Sequence, residues 1–540
     1  MHNLYRVLIV NGISLPIYAS VEEAFSLVSR RLKKYAIFPT DAKFSVYRRS
    51  VDARKKDDIK FVYSIAVEGV FGQISDTTLK EIGAVFDRAE EPFIEMGNEK
   101  LTSNPVVVGT GPAGLFCSLL LAENGYRPII LERGGSVRER VAQIKTFRKT
   151  RVLDENCNIQ FGAGGAGTFS DGKLITRIND GMTGYVLKWF VEFGAPSEIL
   201  YIAKPHIGTD ILCSVVDNML KRIEELGGVV HYNTKFIDAD FENDQIGRIT
   251  TSKGEFNTGA LILAVGHSAR DTYSTLIKNN LSVEAKNFSV GMRIEHLAET
   301  IDKAMYGKFA GNSDLGHAEY ALSYNTKVRG VYTFCMCPGG EVVAATSTAD
   351  GVVVNGMSEN ARNGKNSNSA VVCSVFKEDY GNSPLSAINF QKIIEQKAFL
   401  AGGGNYNAPF ITVGDFLKDK LSSEPKSVLP SYLDGGVKPA SPYDYLPSFV
   451  CDGIKNAIYD FNKKIEGFSA DDAILTGAET RTSAPIRILR DKSTNLAIGY
   501  RNLYPAGEGA GYAGGITSAS IDGVRIALSM MKKYSPIFRG

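Results

Sequence analysis

The chain has no uninterrupted apolar run near the ~18 residues needed to cross a bilayer. Its start, MHNLYRVLIVNG, has no basic region, long apolar stretch or cleavage site of a secretory leader. A cytoplasmic, membrane-free location is the expectation. Neither sign of charge is in excess: a net +2 over 540 residues predicts no overall attraction to nucleic acid or membrane. Seven cysteines, an odd number among apolar neighbours such as Phe116 and Leu212, do not make a disulfide framework, so reduced thiols are expected. No His, Cys or carboxylate spacing matches a zinc or calcium site, and no metal is expected. A second GxGxxG in a strand-to-helix setting and a CxxC near the glycine loops are both missing, which counts against disulfide-reductase chemistry. Glycine is plentiful, 54 residues in all, and much of it falls in two loops, 162–172 and 507–515. Such loops approach a ligand closely or turn sharply.

The length implies two or three packed domains. Residues 1–95 predict a small α+β domain: a strand over 4–10, a helix with apolar positions Val21, Ala24, Phe25, Val28 and Leu32, then strands AKFSVYRRSVDA and IKFVYSIAVEG around the charged turn ARKKDD. A ferredoxin-like arrangement fits that order. The polar segment ending at Pro105 is a linker. Residues 104–275 read as the first part of an α/β nucleotide-binding domain, with turn residues Asn243, Asp244 and Gly254 between later strands. Residues 276–470 have a different texture, with strand candidates such as VRGVYTFCM beside the polar NARNGKNSNS, and read as an inserted mixed α+β substrate domain. Residues 471–540, strand, glycine loop and amphipathic helix, return to the first sheet.

The strongest motif is Gly109-Thr-Gly111-Pro112-Ala113-Gly114, which follows a strand, opens a helix and precedes Glu132 at the end of the next strand. Gly109 permits the turn, Gly111 lets a diphosphate approach, and Gly114 lets helix pack against strand. The diphosphate would lie at the positive end of the helix dipole, and Glu132 would accept from the adenosine ribose. A second cluster, Gly507-Glu508-Gly-Ala-Gly511-Tyr-Ala-Gly514-Gly515-Ile516, favours FAD over NAD at this site. Glu508 is placed for a ribityl hydroxyl, and the Gly514, Gly515 and Ile516 amides for the flavin pyrimidine edge, where a helix start stabilises negative charge.

On VVVGTGPAGLFCSLLLAENG, NIQFGAGGAGTFSDGKL, KPHIGTDIL with ALILAVGHSARDTY, and NLYPAGEGAGYAGGITSASIDG, the chain resembles the uncharacterised FAD-dependent (NAD(FAD)-utilising) dehydrogenases with a glutathione-reductase-type flavin fold. These stretches span nearly everything after residue 100. The resemblance implies a Rossmann-type FAD-binding domain and a redox role, and supplies no substrate. It puts Gly162 to Lys173 beside a non-covalent FAD, with Gly164, Gly165, Ala166, Gly167 and Thr168 near the pyrophosphate or flavin. Arg133 would follow Glu132 in the site. Strand residues Thr234, Lys235 and Phe236 would border the adenine through backbone bonds, and Ala264, Val265 and Gly266 would pass under the cofactor.

Candidate catalytic groups are Lys173, which could stabilise anionic reduced flavin or position a substrate acid, Asp171, His206 in KPHIGTD, and Cys337. His267 in VGHSARD is a further general-base candidate. Cys335 and Cys337 form C-x-C on an expected strand, so both side chains would share a face, either as a redox pair or as two buried small residues. The leading expectation is hydride transfer between flavin N5 and a small organic substrate lying between the FAD domain and the inserted domain, with NAD(P)H as a transient donor. Two alternatives stand beside it. One is a flavoprotein acting on RNA, because residues 30–60 hold eleven Lys or Arg against four Asp, including Lys43, Arg48, Arg49, Arg54, Lys55 and Lys56. The other is a flavin-bearing interaction protein without turnover.

Overall fold

A computed structural model describes residues 4–87, 91–175, 180–241, 244–421 and 424–536. The expected turn residue Asn243 lies outside them. Among the described residues no helix is long and apolar enough to cross a membrane.

The first unit runs strand Leu4–Pro16, helix Val21–Lys34, strands Thr40–Asp52 and Lys60–Phe71, helix Asp76–Glu81 and strand Ala84–Phe86. Thr40–Asp52 pairs with Lys60–Phe71, which pairs with Leu4–Pro16, which pairs with Ala84–Phe86, all antiparallel. This is the ferredoxin-like order. The long helix starts in a capping box of Ser20 and Glu23 and buries Ala24, Val28 and Leu32, one face at helical spacing.

The central sheet is fully parallel, in the order Leu503–Pro505, Leu261–Leu263, Val106–Val108, Ile129–Leu131, Val229–His231. Strand alternation sends Val107, Ile130 and Ile262 to one face, where helices Pro112–Glu123, Thr209–Glu225 and Ile516–Lys533 cover them. Val106, Val108, Leu131 and Leu263 go to the other face, against a three-stranded antiparallel sheet containing Phe236 and Ile249. The helix Pro112–Glu123 is buried at every position from Ala113 to Ala122, which explains why its sequence, AGLFCSLLLA, has no polar face.

A seven-stranded mixed sheet is built on Phe288–Leu297, with Asn366–Val375 and Gly330–Cys337 to one side and Ile474–Glu479 and Ala408–Thr412 to the other. Ile474–Glu479 lies past the 470 boundary expected from sequence, yet it pairs in this sheet. The polar run Asn366-Ser-Asn-Ser369 is not a loop. It opens the central strand Asn366–Val375 and is buried because Arg293 and Glu295 of the neighbouring strand need partners: Asn368 Oδ1 accepts from Arg293 (2.7 Å) and Asn366 donates to Glu295 (2.9 Å).

His296, on that same strand, is buried. Its Nε2–H donates to the Phe468 carbonyl at 2.9 Å, and among the described residues its Nδ1 has no partner. Burial holds its pKa down at about 4 against the small opposing pull of the Phe468 carbonyl and Asp472. The unfolded chain protonates this ring near pH 6.5 and the folded one does not, so stability is lost as pH falls from about 6.5 towards 4, by on the order of 3 kcal/mol from this residue. Denaturant unfolding at pH 8, 6.5 and 4.5 is expected to show that loss in the wild type and a flatter profile in His296→Gln.

Candidate functional site

Two helix N-termini, at Gly111 and Gly515, open into one cavity of about 710 Å³. The glycines around it are of two kinds. Gly109, at φ +101°, and Gly114 are required for packing: a Cβ would come within 2.4 Å of the Ala264 carbonyl oxygen and 1.9 Å of the Gly109 oxygen, respectively. At Gly111 a Cβ would meet nothing nearer than Gly165 Cα at 3.9 Å, and at Gly514 and Gly515 nothing within 4 Å. Those three leave room for an anionic group at the helix starts, although the Gly514 N–H is already taken by Ser518 Oγ at 3.2 Å.

The floor of the cavity, residues 158–167, is irregular chain held from below by Arg140. This side chain is 0 % exposed. It donates to the carbonyls of Asn158 (2.9 Å), Ile159 (2.8 Å), Gly162 (3.3 Å), Ala163 (2.7 Å) and Gly165 (2.8 Å). Burial lowers its pKa to about 10, partly offset by Glu132, so it stays charged at neutral pH. Glu132 handles the amides: its oxygens accept from the backbone N–H groups of Thr110 (3.1 Å), Gly134 (2.9 Å) and Gly162 (3.0 Å), and from the Thr110 hydroxyl. The carboxylate expected to take ribose hydroxyls is thus fully supplied with protein donors. A ribose here has to compete with Thr110, whose hydroxyl also accepts from Gly164 N–H.

Of the other expected residues, Pro112, Ala113, Arg133, Gly165, Ala166, Gly167, Lys235, Phe236, Ala264, Val265, Gly266, Glu508 and Ile516 line the cavity, with Asp171, Lys173 and His267. Arg133 lies over the Phe161 ring at 4.0 Å and is paired with Asp271. Glu508 has its carboxyl pushed up to about 7 by burial, against Lys286. His267 is pushed down to about 4 by burial, Arg481 and Arg270, and is neutral at physiological pH.

Several expectations need correction. Gly164, Thr168 and Gly507 do not line the cavity: a Cβ on Gly164 would strike the Thr168 hydroxyl, Thr168 is buried beneath the loop, and Gly507 donates to Asp522 (2.7 Å). Thr234 and Lys235 precede the strand, which begins at Phe236, and their amides are taken by the Glu132 carbonyl and Ser252 Oγ, so neither N–H is left for an adenine. His206 stands outside the cavity with its Nε2 on the Asn360 carbonyl (3.1 Å), its pKa lowered by burial and by Arg362. Cys337 is 0 % exposed and also off the cavity wall, because a bulge breaks the strand alternation after Phe334 and puts Cys335 in the wall instead. Asp171 and Lys173, the candidate catalytic pair, are tied to protein partners. Asp171 is buried and receives Lys173 (2.8 Å), Arg362 and the Ser358 hydroxyl, and Lys173 also reaches Glu319 (3.3 Å). Burial would raise the Asp171 carboxyl, but Lys173 and Arg362 outweigh it and hold it low.

Sequence reading missed the opposite wall, formed by Tyr320, Thr333, Phe334, Met336, Glu479 and Arg481. Behind it, Glu395 is clamped by Arg270 (2.7 Å) and Arg481 (3.1 Å), two guanidiniums on one carboxylate, leaving a net positive charge beside His267. Of the basic edge weighed for RNA, Lys43, Arg54, Lys55 and Lys56 are exposed, while Arg49 is used internally. Arg49 pairs its backbone with Tyr201 and Ala203 and lies over the Phe61 ring at 5.0 Å, and Arg48 and Ser50 reach the cavity wall.

A family described as "FAD-dependent protein, C-terminal domain-like" matches residues 287–482, and a domain of unknown function, DUF8436, matches residues 10–68. An uncharacterized protein of Clostridium beijerinckii is 43% identical over 531 residues, covering 97% of this chain and 98% of its own. Among solved structures, L-amino acid deaminase from Proteus vulgaris covers 83% of this chain and 98% of its own at 12% identity and a TM-score of 0.33. Glycine oxidase from Geobacillus kaustophilus covers 81% and 99% at 12% identity and a TM-score of 0.32.

Replacing Arg140 tests the floor directly. Arg140→Met strands the carbonyls of Asn158, Ile159 and Ala163, each costing about 1–3 kcal/mol, while Gly162 and Gly165 keep the Gly165 and Thr168 N–H groups, so a large fall in thermal midpoint is expected, with Arg140→Lys recovering part of it.

Proposed function

We propose that this chain, which belongs to one family with the uncharacterized Clostridium protein and matches the FAD-dependent C-terminal domain over residues 287–482, is an oxidoreductase that holds FAD non-covalently along the Gly109–Gly114 turn, the Arg140-bound floor and the Gly514–Ile516 helix start. The single observation that carries the reading is the pairing of two glycine-opened helix N-termini across one cavity, with no Cβ intruding at Gly111, Gly514 or Gly515. A dinucleotide with a diphosphate at one end and a ring that gains negative charge on reduction needs both. A glutathione-reductase-type arrangement of the parallel sheet agrees with this layout.

When bound, FAD supplies hydride exchange at its N5. The chain's own residues do the remainder. Gly111, with open space at its Cβ position, would receive the pyrophosphate, and Arg133, stacked on Phe161, would border the adenosine. Gly515 and Ile516 present amides towards the ring. Arg270 and Arg481, in excess over Glu395, raise the local potential and favour negative charge in the cavity. His267, kept neutral by burial and the two arginines, offers a hydrogen bond to bound substrate, and Glu508, its carboxyl pushed up to about 7, exchanges a proton. The substrate is a small organic molecule admitted between the parallel-sheet helices and the Tyr320–Met336 wall, and NAD(P)H is a transient donor.

The purified protein is expected to show flavin absorbance, followed anaerobically as NADH, NADPH and candidate substrates are added. Absence of flavin bands after FAD is supplied would sink the reading. Gly111→Ala is expected to leave the thermal midpoint of the FAD-free protein unchanged, since Gly111 has φ −62° and open space at its Cβ, while weakening FAD at least tenfold in a fluorescence titration.

A further inference from the structure

We propose that Cys335 and Cys337 form a dithiol–disulfide pair that exchanges two electrons with the flavin in the cavity, a step that rests on the FAD reading above. In a regular strand, residues two apart lie about 6.6 Å from each other along the chain, near the limit for a disulfide. Here the strand is not regular. Its pairing with Asn366–Val375 slips between Phe334 and Cys337, and Cys335 sits at φ +44°, in the left-handed region that a residue with a side chain avoids. The path between the two cysteines is bent, and the Cys337 sulfur comes 3.4 Å from the Cys335 carbonyl oxygen.

The bend is held by a buried cation. Arg293, 0 % exposed, donates to the Cys335 carbonyl from Nη1 (3.2 Å) and Nη2 (2.9 Å) and to Asn368 (2.7 Å), and pairs with Glu479 (3.1 Å). The same Nη1 lies 3.9 Å from the Cys337 sulfur. Gly356 is required beside it, because a Cβ there would lie 1.8 Å from that nitrogen. Arg293 thus holds the Cys335 carbonyl and lies beside the Cys337 sulfur at the bulge.

The two sulfurs are unequal. Cys335 is in the cavity wall and Cys337 is behind it. The hydrogen bond from Cys337, then Arg293 and Lys173, bring the Cys335 thiol down to about 7 despite burial, while the same contact and burial push Cys337 up. One thiolate facing the cavity and one protonated thiol behind it is the division of labour of a redox dithiol. In the oxidising direction the Cys335 thiolate and Cys337 thiol lose two electrons and one proton, and the S–S bond forms. The flavin takes the two electrons with that proton and one from solvent. The reverse reaction opens the bond.

The FAD-loaded protein is oxidised with diamide, alkylated with iodoacetamide and digested. A peptide carrying an internal Cys335–Cys337 bond is expected, and it should be absent from Cys335→Ser and Cys337→Ser. Anaerobic dithionite titration of the oxidised protein is expected to consume about four electrons per flavin in the wild type and about two in either variant, a two-electron couple being added to the flavin's own. No cross-linked peptide, or about two electrons in the wild type, overturns the pair. Because the cross-link is read by mass, a protein that forms it without retaining FAD supports the dithiol and counts only against the flavin reading.

Discussion

A single buried guanidinium underlies the site. Arg140 gathers five carbonyls of a stretch that has almost no regular structure, while Glu132 gathers amides from the neighbouring turns. Irregular chain in an interior is costly because its peptide groups lack partners. A cation for the carbonyls and an anion for the N–H groups close that account on both sides. Gly165 then comes so near Gly111 that a Cβ on it would lie 2.8 Å from the Gly111 Cα. The two loops are therefore one rigid surface, and the helix dipole behind Gly111 has a fixed aim.

The facing wall follows the same rule with charges instead of peptide groups. Asp171, Lys173, Glu319 and Arg362 neutralise one another, Arg293 and Glu479 do likewise, and Arg270, Arg481 and Glu395 do not. The cavity is consequently polarised by local excesses, that one and Arg133 with Lys235 on the single Asp271, and not by the molecule's overall +2. Buried pairs of this kind contribute little net stability. Their effect here is to fix side-chain positions around a space that a ligand must match.

The parts of the fold legible in the sequence were those governed by local rules. Helix Val21–Lys34 announced itself by apolar spacing, the ferredoxin-like order by alternating strands and a charged turn, and the Gly109–Gly114 turn by its strand-to-helix context. What stayed hidden depended on partners distant in the chain. Arg140 lies in VRERVAQIK, where an arginine reads as solvent-facing, and its role appears only with the loop it supports. The polar stretch NARNGKNSNS gave no strand over Asn366 to Ser369 because the partners of those side chains, Arg293 and Glu295, are some seventy residues away. A signal existed there: charges inside the otherwise apolar strand FSVGMRIEHL required buried partners. The cysteine pair was misjudged for a smaller reason, that alternation assumes an unbroken strand and a bulge shifts the phase by one.

The strand Thr40–Asp52 belongs by pairing to the first sheet, yet its Arg49 is zipped to residues 201–203 and its Arg48 and Ser50 face the cavity. The leading unit is therefore part of the vessel's rim and not an appendage. A severed copy of either piece would present a wall with its seam open to water, however separable the two look as stretches of sequence.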